Sequence, residues 1–337
     1  MEDREIKEFK EKYREIILKY LEHQDEEILY SCERLTREAM ENRVSPEEVV
    51  NLHRSILEEY DADLPEYVSS SFDVLLEMMV GYGLAHMEHL SMRTEQMALR
   101  REIAQAEDMQ KTMMKSDIPM VKGLEVGAVS VPMRQMSGDF YSFTNEGENK
   151  ISVTLADVIG KGIPAAFSMS MLKYAADSYG GDTKTPSEML QNLNAVAETN
   201  IADNMFITMF YGLYDTAHHL FEFASAGHEV GLYFSAKTRQ FTDLYARGLP
   251  LGIDRSATYR AFEKEVEPDD MIFIMSDGVT ETRTADGFIE REDLIAVFEE
   301  RIDLPPQRLV KEVYDHLCKV QDYELRDDFT LICLKRV

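Results

Sequence analysis

Two aspartates, Asp139 and Asp157, flank a predicted β-hairpin. Residues 140–143 and 151–155 are apolar enough to form two short strands, and a polar turn centred near Glu148 separates them. Both aspartates lie nine residues from Glu148, so an antiparallel hairpin places them opposite each other, with Cβ atoms about 5 Å apart. Adjacent carboxylates repel each other unless a positive charge lies between them. A divalent cation is the simplest candidate for that charge.

Three more aspartates stand at predicted strand ends. Asp277 follows the apolar run 271–275, which we expect to be a central strand, and Asp327 and Asp328 precede the last strand, 329–335. If these strands are antiparallel neighbours, Asp277 and Asp327 meet at one sheet edge. Oxygen ligands suit Mg²⁺ or Mn²⁺, and the lack of a Cys/His cluster argues against zinc. Two such ions, about 3.5–4 Å apart, would lower the pKa of a water molecule and hold a phosphate oxygen.

Each of these aspartates has a purely structural alternative. Asp277 is followed by glycine, and Asp-Gly is typical of turns, while Asp327 could simply begin a strand. The set of four strand-terminal aspartates, Asp139, Asp157, Asp277 and Asp327, is what favours a two-metal centre. His228 could protonate a leaving oxygen, although a histidine beside a glycine at a strand end is more often structural.

The N-terminal region is predicted to be helical and to carry no chemistry. Ile6, Phe9, Tyr13 and Ile16 recur every three or four residues, as on one face of a helix. Ser45-Pro46-Glu47-Glu48 is a capping box that begins a third helix, and a fourth begins near Ser69. A bundle of this size often needs a partner or a second copy. We predict a partner-binding and dimerisation domain over residues 1–85, with a purely structural domain as the alternative.

A helical linker is predicted over residues 86–118. It carries a heptad stripe with two polar positions, Gln96 and Gln110, so the seam is weak and could pack in more than one way. Replacing both glutamines with leucine should lock one packing and change how activity depends on a partner. A plain amphipathic helix packed on its own domain is the alternative. The apolar stripe consists of Met92, Leu99, Ala106 and Met113, with Ile103 between the glutamines.

Residues 119–337 are predicted to form an α+β domain. Strands are expected at 124–131, 206–213, 220–225 and 231–234, besides those already named, with a helix starting at Pro164 and capping motifs such as Thr185-Pro186-Ser187-Glu188 opening others. Hairpins and helix pairs, without βαβ alternation, favour an antiparallel sandwich flanked by helices.

The composition and the net charge indicate which partners and which cellular location to expect. The net charge of −27 over 337 residues disfavours nucleic acid or an anionic membrane as a partner. The three cysteines, sparse and without CxxC spacing, argue against a disulfide framework. The polar N-terminus does not resemble a signal peptide, and the apolar run 72–87 is too short and too polar to span a bilayer. These features indicate a cytoplasmic protein.

Several ordered motifs resemble the bacterial SpoIIE-type branch of the PPM (PP2C-like) serine/threonine phosphatases, and the resemblance covers about residues 120–337. The N-terminal region, with Gly81-Tyr82-Gly83, and the linker resemble the members that switch on a general stress sigma factor. The motifs are Met136-Ser137-Gly138-Asp139-Phe140-Tyr141, Ala156-Asp157-Val158-Ile159-Gly160-Lys161-Gly162, Ser225-Ala226-Gly227-His228, Ser276-Asp277-Gly278-Val279-Thr280-Glu281 and Asp327-Asp328-Phe329-Thr330.

The resemblance implies a central antiparallel β-sandwich flanked by helices and two Mn²⁺ or Mg²⁺ ions. It maps Asp139 as the carboxylate that bridges both ions. Asp157 and the backbone carbonyl of Val158 would hold one ion. Asp277 and Asp327 would hold the other, with Asp328 the less favoured ligand.

The resemblance also implies a substrate and partners. The substrate would be a phosphoserine or phosphothreonine on an anti-sigma-factor antagonist, whose dephosphorylation activates a general stress sigma factor. The N-terminal bundle would dimerise and bind an activating, kinase-like switch protein. Related eukaryotic enzymes carry a phosphate-binding arginine near the first motif; Arg134 lies close to Asp139, but we assign it no catalytic role.

Two other functions remain as alternatives at this stage. One is another two-metal phosphoesterase, such as a phosphodiesterase or nuclease, which the acidic composition disfavours. The other is a catalytically inactive scaffold that only binds partners, which the presence of all four aspartates disfavours.

Overall fold

The computed structural model describes residues 2–42, 44–114, 116–133, 137–147, 149–160, 162–179, 184–201, 205–284 and 287–337. The chain divides into two compact units, residues 1–102 and 103–337, and each is described by itself.

The N-terminal unit is helical, as predicted. Within the described residues it contains α1 (Glu2–His23), α2 (Glu26–Glu41), α3 (Pro46–Tyr60) and the first part of α4 (Glu66–Met114). The predicted capping box is present, since the Ser45 hydroxyl accepts from the Glu48 amide and the Glu48 carboxylate accepts from the Ser45 amide. Phe9, Leu35 and Ala39 form the centre of a small core.

The fourth helix differs from its prediction in length. We expected one helix from about Ser69 and a separate linker helix, but α4 is continuous over 49 residues. No proline interrupts it, because the next proline after Pro65 is Pro119, and the helix accommodates Gly81 and Gly83 without a break. The division between the two units, at residues 102/103, falls inside this helix, so no break marks the domain boundary predicted at residue 85.

The predicted seam of α4 is only partly covered. Met92 and Leu99 are exposed, whereas Gln110, expected to be a polar defect of the seam, is buried.

Two five-stranded antiparallel sheets make up the C-terminal unit. The first sheet has the order β1-β12-β9-β6-β7 and the second has the order β2-β3-β4-β5-β8. The strands are β1 (Leu124–Val131), β2 (Asp139–Asn145), β3 (Lys150–Ile159), β4 (Phe206–Asp215), β5 (Leu220–Ala226), β6 (Gly231–Ser235), β7 (Gln240–Leu244), β8 (Phe262–Glu265), β9 (Met271–Met275) and β12 (Phe329–Arg336), with a small hairpin of β10 (Arg283–Thr284) and β11 (Gly287–Phe288).

Helices cover both outer faces of the sandwich. One buried cluster lies between the second sheet and α5 (Ile163–Tyr179) with α6 (Pro186–Asn200). A second lies between the first sheet and α8 (Arg291–Glu299) with α9 (Pro306–Val320), and a third fills the space between the sheets. The single turn α7 (Asp277–Thr280) follows β9. This architecture is the helix-flanked antiparallel sandwich predicted from the sequence.

In the part of the chain that the structure describes, no helix combines the length and the apolar character needed to cross a membrane.

Candidate metal centre

The hairpin of β2 and β3 places its two aspartates as the sequence predicted. Asp139 is paired in register with Asp157 at the end of the ladder. The ladder continues through seven residue pairs to Asn145 and Ile151, so the turn fixes which residues face each other. Two carboxylates therefore stand side by side at one end of the second sheet.

Asp139 lacks the partners that a buried carboxylate needs. Its side chain is buried, and neither carboxylate oxygen accepts a hydrogen bond of ordinary geometry, although the hydroxyls of Thr330 and Ser276 lie close enough to oppose part of the rise in its pKa. Burial, reinforced by the charge of Asp157, raises the pKa of Asp139 well above its usual range. An ionised carboxylate at this position requires a positive charge, and a divalent cation shared with Asp157 would supply it.

Gly138 brings a backbone carbonyl close to this pair. A Cβ atom at Gly138 would lie 3.2 Å from Asp157 Oδ1 and 3.5 Å from the carbonyl oxygen of Val158. The absence of a side chain keeps this space free beside the two oxygens. The donor set, two carboxylates and a carbonyl, is one that Mg²⁺ or Mn²⁺ accepts.

Asp277 approaches from the other sheet. It begins α7 directly after β9, and a Cβ atom at Gly278 would lie 2.2 Å from the carbonyl oxygen of Asp328. Only glycine permits this close approach, which holds Asp277 beside the start of β12. The prediction that β9 and β12 are antiparallel neighbours is confirmed, because Met275 pairs with Leu331.

The carboxylates of the two sheets influence one another electrostatically. Burial, followed by the charges of Asp277 and Asp327, raises the pKa of Asp157 to about 7. Burial, followed by the charge of Asp327, raises the pKa of Asp277 to about 6. Without a cation, the carboxyl groups of Asp139, Asp157 and Asp277 therefore hold protons more tightly than isolated aspartates do.

Asp327 and Asp328, adjacent in sequence, have different surroundings. Asp328 accepts hydrogen bonds from the backbone amides of Met133 (2.7 Å) and Gly138, and also from the hydroxyl of Ser137 (3.2 Å). Asp327 is exposed and accepts only from the amide of Asp328 within the described contacts, at 3.0 Å. These contacts occupy both oxygens of Asp328, which favours Asp327 as the ligand; the assignment remains a prediction.

A cavity of about 550 Å³ adjoins these groups, large enough for a phosphorylated side chain. Asp157, Asp277 and Asp327 lie on its polar side, and Ile103 and Ile163 contribute to its apolar walls. Among the described residues, no three carboxylate, imidazole or thiol side chains converge closely enough to hold an ion in the arrangement seen. The fit to a cation therefore depends on the unpartnered oxygens of Asp139 and on the space at Gly138.

His228 does not have the surroundings of a general acid. It is buried, it is absent from the cavity walls, and burial lowers its pKa to about 4, so the ring is neutral near pH 7. Its Nδ1 atom lies 2.9 Å from the hydroxyl oxygen of Thr208. A structural role for His228 is thus favoured over a role as general acid. Arg134 lies outside the described residues.

Sequence reasoning missed the contacts that support the predicted ligands. The side-chain amide of Gln110 donates to the backbone carbonyl of Ser137 at 3.0 Å, which fixes the segment just before Asp139. The hydroxyl of Ser276 donates to the Asp328 carbonyl at 3.1 Å and accepts from the Thr330 amide at 3.0 Å. The only sequence signal for Gln110 was a polar residue at an apolar heptad position, and we assigned it to the seam.

Comparisons with known proteins cover both units. Residues 147–337 match the family model "Stage II sporulation protein E (SpoIIE)", and residues 11–85 match "Phosphoserine phosphatase RsbU, N-terminal domain". The chain is 46% identical over 336 residues to Phosphoserine phosphatase RsbU of Bacillus subtilis (strain 168), with 100% of this chain and 99% of the relative covered. The predicted resemblance to the SpoIIE-type branch is therefore confirmed.

Solved structures show the same fold. The SiaA-PP2C domain of Pseudomonas aeruginosa aligns with a TM-score of 0.62 at 16% identity, over 73% of this chain and 99% of that one. The RsbU and RsbW domains of Rv1364c from Mycobacterium tuberculosis align with a TM-score of 0.58 at 22% identity, over 66% of this chain and 63% of that one. The C-terminal unit thus has a PP2C-type fold.

Proposed function

Because the chain belongs to the RsbU family of PP2C-type phosphoserine phosphatases, we propose that it uses two divalent cations, Mn²⁺ or Mg²⁺, to dephosphorylate a phosphorylated anti-sigma-factor antagonist. Release of the unphosphorylated antagonist then activates a general stress sigma factor. The observation that carries the proposal is the paired carboxylates of Asp139 and Asp157, with both Asp139 oxygens buried and accepting no hydrogen bond of ordinary geometry.

The residues at the ends of the two sheets have different proposed roles in holding the cations. Asp139 would bridge the cations, Asp157 and the Val158 carbonyl would hold one, and Asp277 and Asp327 would hold the other. When bound, the cations offset the charge of the phosphate monoester and lower the pKa of water. Hydrolysis of a phosphate monoester is very slow without a catalyst, and both effects accelerate it. The chain itself orients the ligands: Asp328 anchors the loop before Asp139, and Ser276 joins the ends of β9 and β12.

Phosphate release from a phosphoserine protein tests the catalytic part of the proposal. We expect Mn²⁺-dependent release from the unmodified chain and a loss of at least about 100-fold in kcat/KM for Asp277→Asn. Asp303→Asn is the matched control, because Asp303 is exposed and pairs with Arg239 at 3.4 Å, and it is not one of the proposed ligands. Full activity of Asp277→Asn would show that the site is wrongly assigned.

Calorimetric titration with Mn²⁺ separates this enzyme from an inactive scaffold. Binding by the unmodified chain, weakened in Asp277→Asn, supports the metal centre. An unmodified chain that binds no Mn²⁺ and releases no phosphate would favour the scaffold. A nuclease assay with Mn²⁺ addresses the remaining alternative, a different two-metal phosphoesterase.

The N-terminal unit is proposed to dimerise and to bind an activating switch protein. One face of α4 leaves four apolar side chains exposed at spacings of seven, four and four residues, so they lie on one side of the helix. An apolar face of this kind is typical of a helix that packs against another chain. The four residues are Tyr67, Val74, Met78 and Tyr82.

Analytical ultracentrifugation of the full chain tests dimerisation. We expect a dimer for the unmodified chain and a shift toward monomer for Val74→Glu with Met78→Glu, because burying these charges in an apolar interface is unfavourable. A monomeric unmodified chain would contradict dimerisation. Phosphatase assays with the candidate switch protein, on the same variants, then test activation.

A further inference from the structure

Three strand ends from each sheet face one another around the candidate metal centre. In the second sheet, the neighbours β2, β3 and β4 present Asp139, Asp157 and Thr208 at this edge, and Thr208 is the register partner of Asp157. In the first sheet, β12, β9 and β6 are neighbours in the same way. Asp328 directly precedes β12, Asp277 follows the end of β9, and His228 precedes β6. The two sets run in the same order along the edge.

Hydrogen bonds join the outer members of these sets. On one side, the carboxylate of Asp328 accepts from the Gly138 amide, which ties the start of β12 to the start of β2. On the other side, the ring of His228, just before β6, contacts the hydroxyl of Thr208 on β4 at 2.9 Å. Between them stand Asp157 and Asp277, two carboxylates that repel each other.

The backbone around His228 is fixed on both sheets. Its amide donates to the Ser225 hydroxyl at 3.1 Å at the end of β5, and the carboxylate of its neighbour Glu229 accepts from the Thr280 hydroxyl at 3.1 Å in α7. The turn 225–229 is thus held to the end of β5 in the second sheet and to α7, which begins at Asp277.

The imidazole itself is placed between the sheets. Nε2 is buried and makes no hydrogen bond of ordinary geometry, while the backbone carbonyl of Met275 lies close enough to favour protonation of the ring. With Nδ1 accepting from Thr208, the proton lies on Nε2, the remaining ring nitrogen. Met275 is the last residue of β9, two positions before Asp277.

We propose that His228 and Thr208 form an inter-sheet strut that sets the separation between Asp157 and Asp277, so that His228 is a positioning residue of the metal centre. The strut rests on the proposed two-cation function. Outer contacts of this kind orient the groups that hold a metal and are commonly needed for full affinity. His228 needs no contact with substrate for this role, in agreement with its absence from the cavity walls.

Thr208→Val and His228→Asn test the strut in the full-length protein. Thr208→Val removes only the hydroxyl and keeps the shape of the side chain. We expect calorimetric titration of the metal-free protein to show Mn²⁺ binding about tenfold weaker in each variant. The Mn²⁺ concentration for half-maximal phosphatase activity should rise by a similar factor, while kcat at saturating Mn²⁺ stays within about twofold.

The same strand supplies matched controls. The hydroxyl of Tyr214 contacts Nδ1 of His219 at 3.0 Å, and Tyr214 lies six residues beyond Thr208 on β4, about 20 Å away. Tyr214→Phe and His219→Asn therefore make the same kinds of change far from the carboxylates. We expect these controls to lower the melting temperature without changing Mn²⁺ affinity.

The outcomes separate the strut from the proposed function. Unchanged Mn²⁺ affinity in Thr208→Val and His228→Asn would overturn the strut while leaving the metal centre intact. A loss of kcat at saturating Mn²⁺ with an unchanged Mn²⁺ requirement would also overturn it, since it would indicate a catalytic contact. If the unmodified protein bound no Mn²⁺, the proposed function would fail and the strut with it.

Discussion

After divalent cations are removed, the C-terminal unit should be more stable in mild acid than at neutral pH. Asp157 and Asp277 both have raised pKa values, because each is partly buried near other carboxylates. A carboxyl group with a higher pKa in the folded chain takes up protons on folding. The stability linked to that uptake is present below the unfolded pKa and is lost as the pH rises through the folded pKa.

The expected magnitude follows from the two shifts. For Asp157, from 3.8 to about 7, the free energy of unfolding falls by about 3 kcal/mol between pH 5 and pH 8. Asp277, from 3.8 to about 6, would alone account for about 1 kcal/mol over the same interval. Since these two groups share one repulsion and Asp277 is partly exposed, we expect them to contribute a fall of about 3 kcal/mol together, and the raised pKa of Asp139 acts in the same direction.

Scanning calorimetry in a chelating buffer measures this fall, and it suits a chain that contains no tryptophan. The unfolding transition of the C-terminal unit is identified as the one whose temperature Mn²⁺ shifts. Asp157→Asn should reduce the dependence on pH, because it removes one titrating group and the repulsion that this group exerts on Asp139 and Asp277, whereas Asp303→Asn should leave it unchanged. With Mn²⁺ present the sign should reverse, because protons compete with cations for the carboxylates.

The result that would refute this reasoning is a metal-free protein whose stability is constant or rises from pH 5 to pH 8. A slope of the expected sign that is undiminished in Asp157→Asn would place its origin elsewhere in the chain.

Three further comparisons test individual contacts. Asp328→Asn should lower the free energy of unfolding by about 1–3 kcal/mol in calorimetry, because the partly buried backbone amide of Met133 or Gly138 loses its acceptor, whereas Asp327→Asn should weaken Mn²⁺ binding with little change in melting temperature. Gln110→Leu should cost about 1 kcal/mol through an unpaired backbone carbonyl, and Gln96→Leu, at an exposed position, should cost nothing measurable; equal losses would contradict the difference in burial. Ser45→Ala should destabilise the N-terminal unit by about 1 kcal/mol, measured by circular dichroism during denaturation, and an unchanged midpoint would show that the cap contributes little.

Local signals predicted much of the fold and of the candidate site. The register of Asp139 with Asp157 followed from the symmetry of one hairpin, and β9 followed from five consecutive apolar residues. Strands β7 and β8 were missed because each is short and carries polar side chains without a clear alternation. Their pairing partners, β6 and β5, decide their conformation, and that information is not local.

The supporting contacts of the site could not be predicted for a related reason. Asp327 and Asp328 are chemically identical neighbours, and only the tertiary position of the loop at Met133 and Gly138 distinguishes them. Gln110 is equally compatible with a coiled-coil seam and with a packed helix, because both use the same helical period. The choice depends on a carbonyl 27 residues later in the chain.

Two opposing effects act on the sheets at the edge of the sandwich that carries Asp139, Asp157 and Asp277. Apolar side chains between the sheets, such as Leu155 and Ile274, are fully buried and hold the sheets together, while the carboxylates at the edge repel one another. Bound cations would remove that repulsion, so cation binding and closure of this edge should be coupled. We therefore expect Mn²⁺ to slow hydrogen exchange at the amides of Gly138 and Ser276, and to leave exchange near Tyr214 unchanged. Equal protection at both ends of the sheets would indicate general stabilisation of the unit and would contradict a cation-dependent edge.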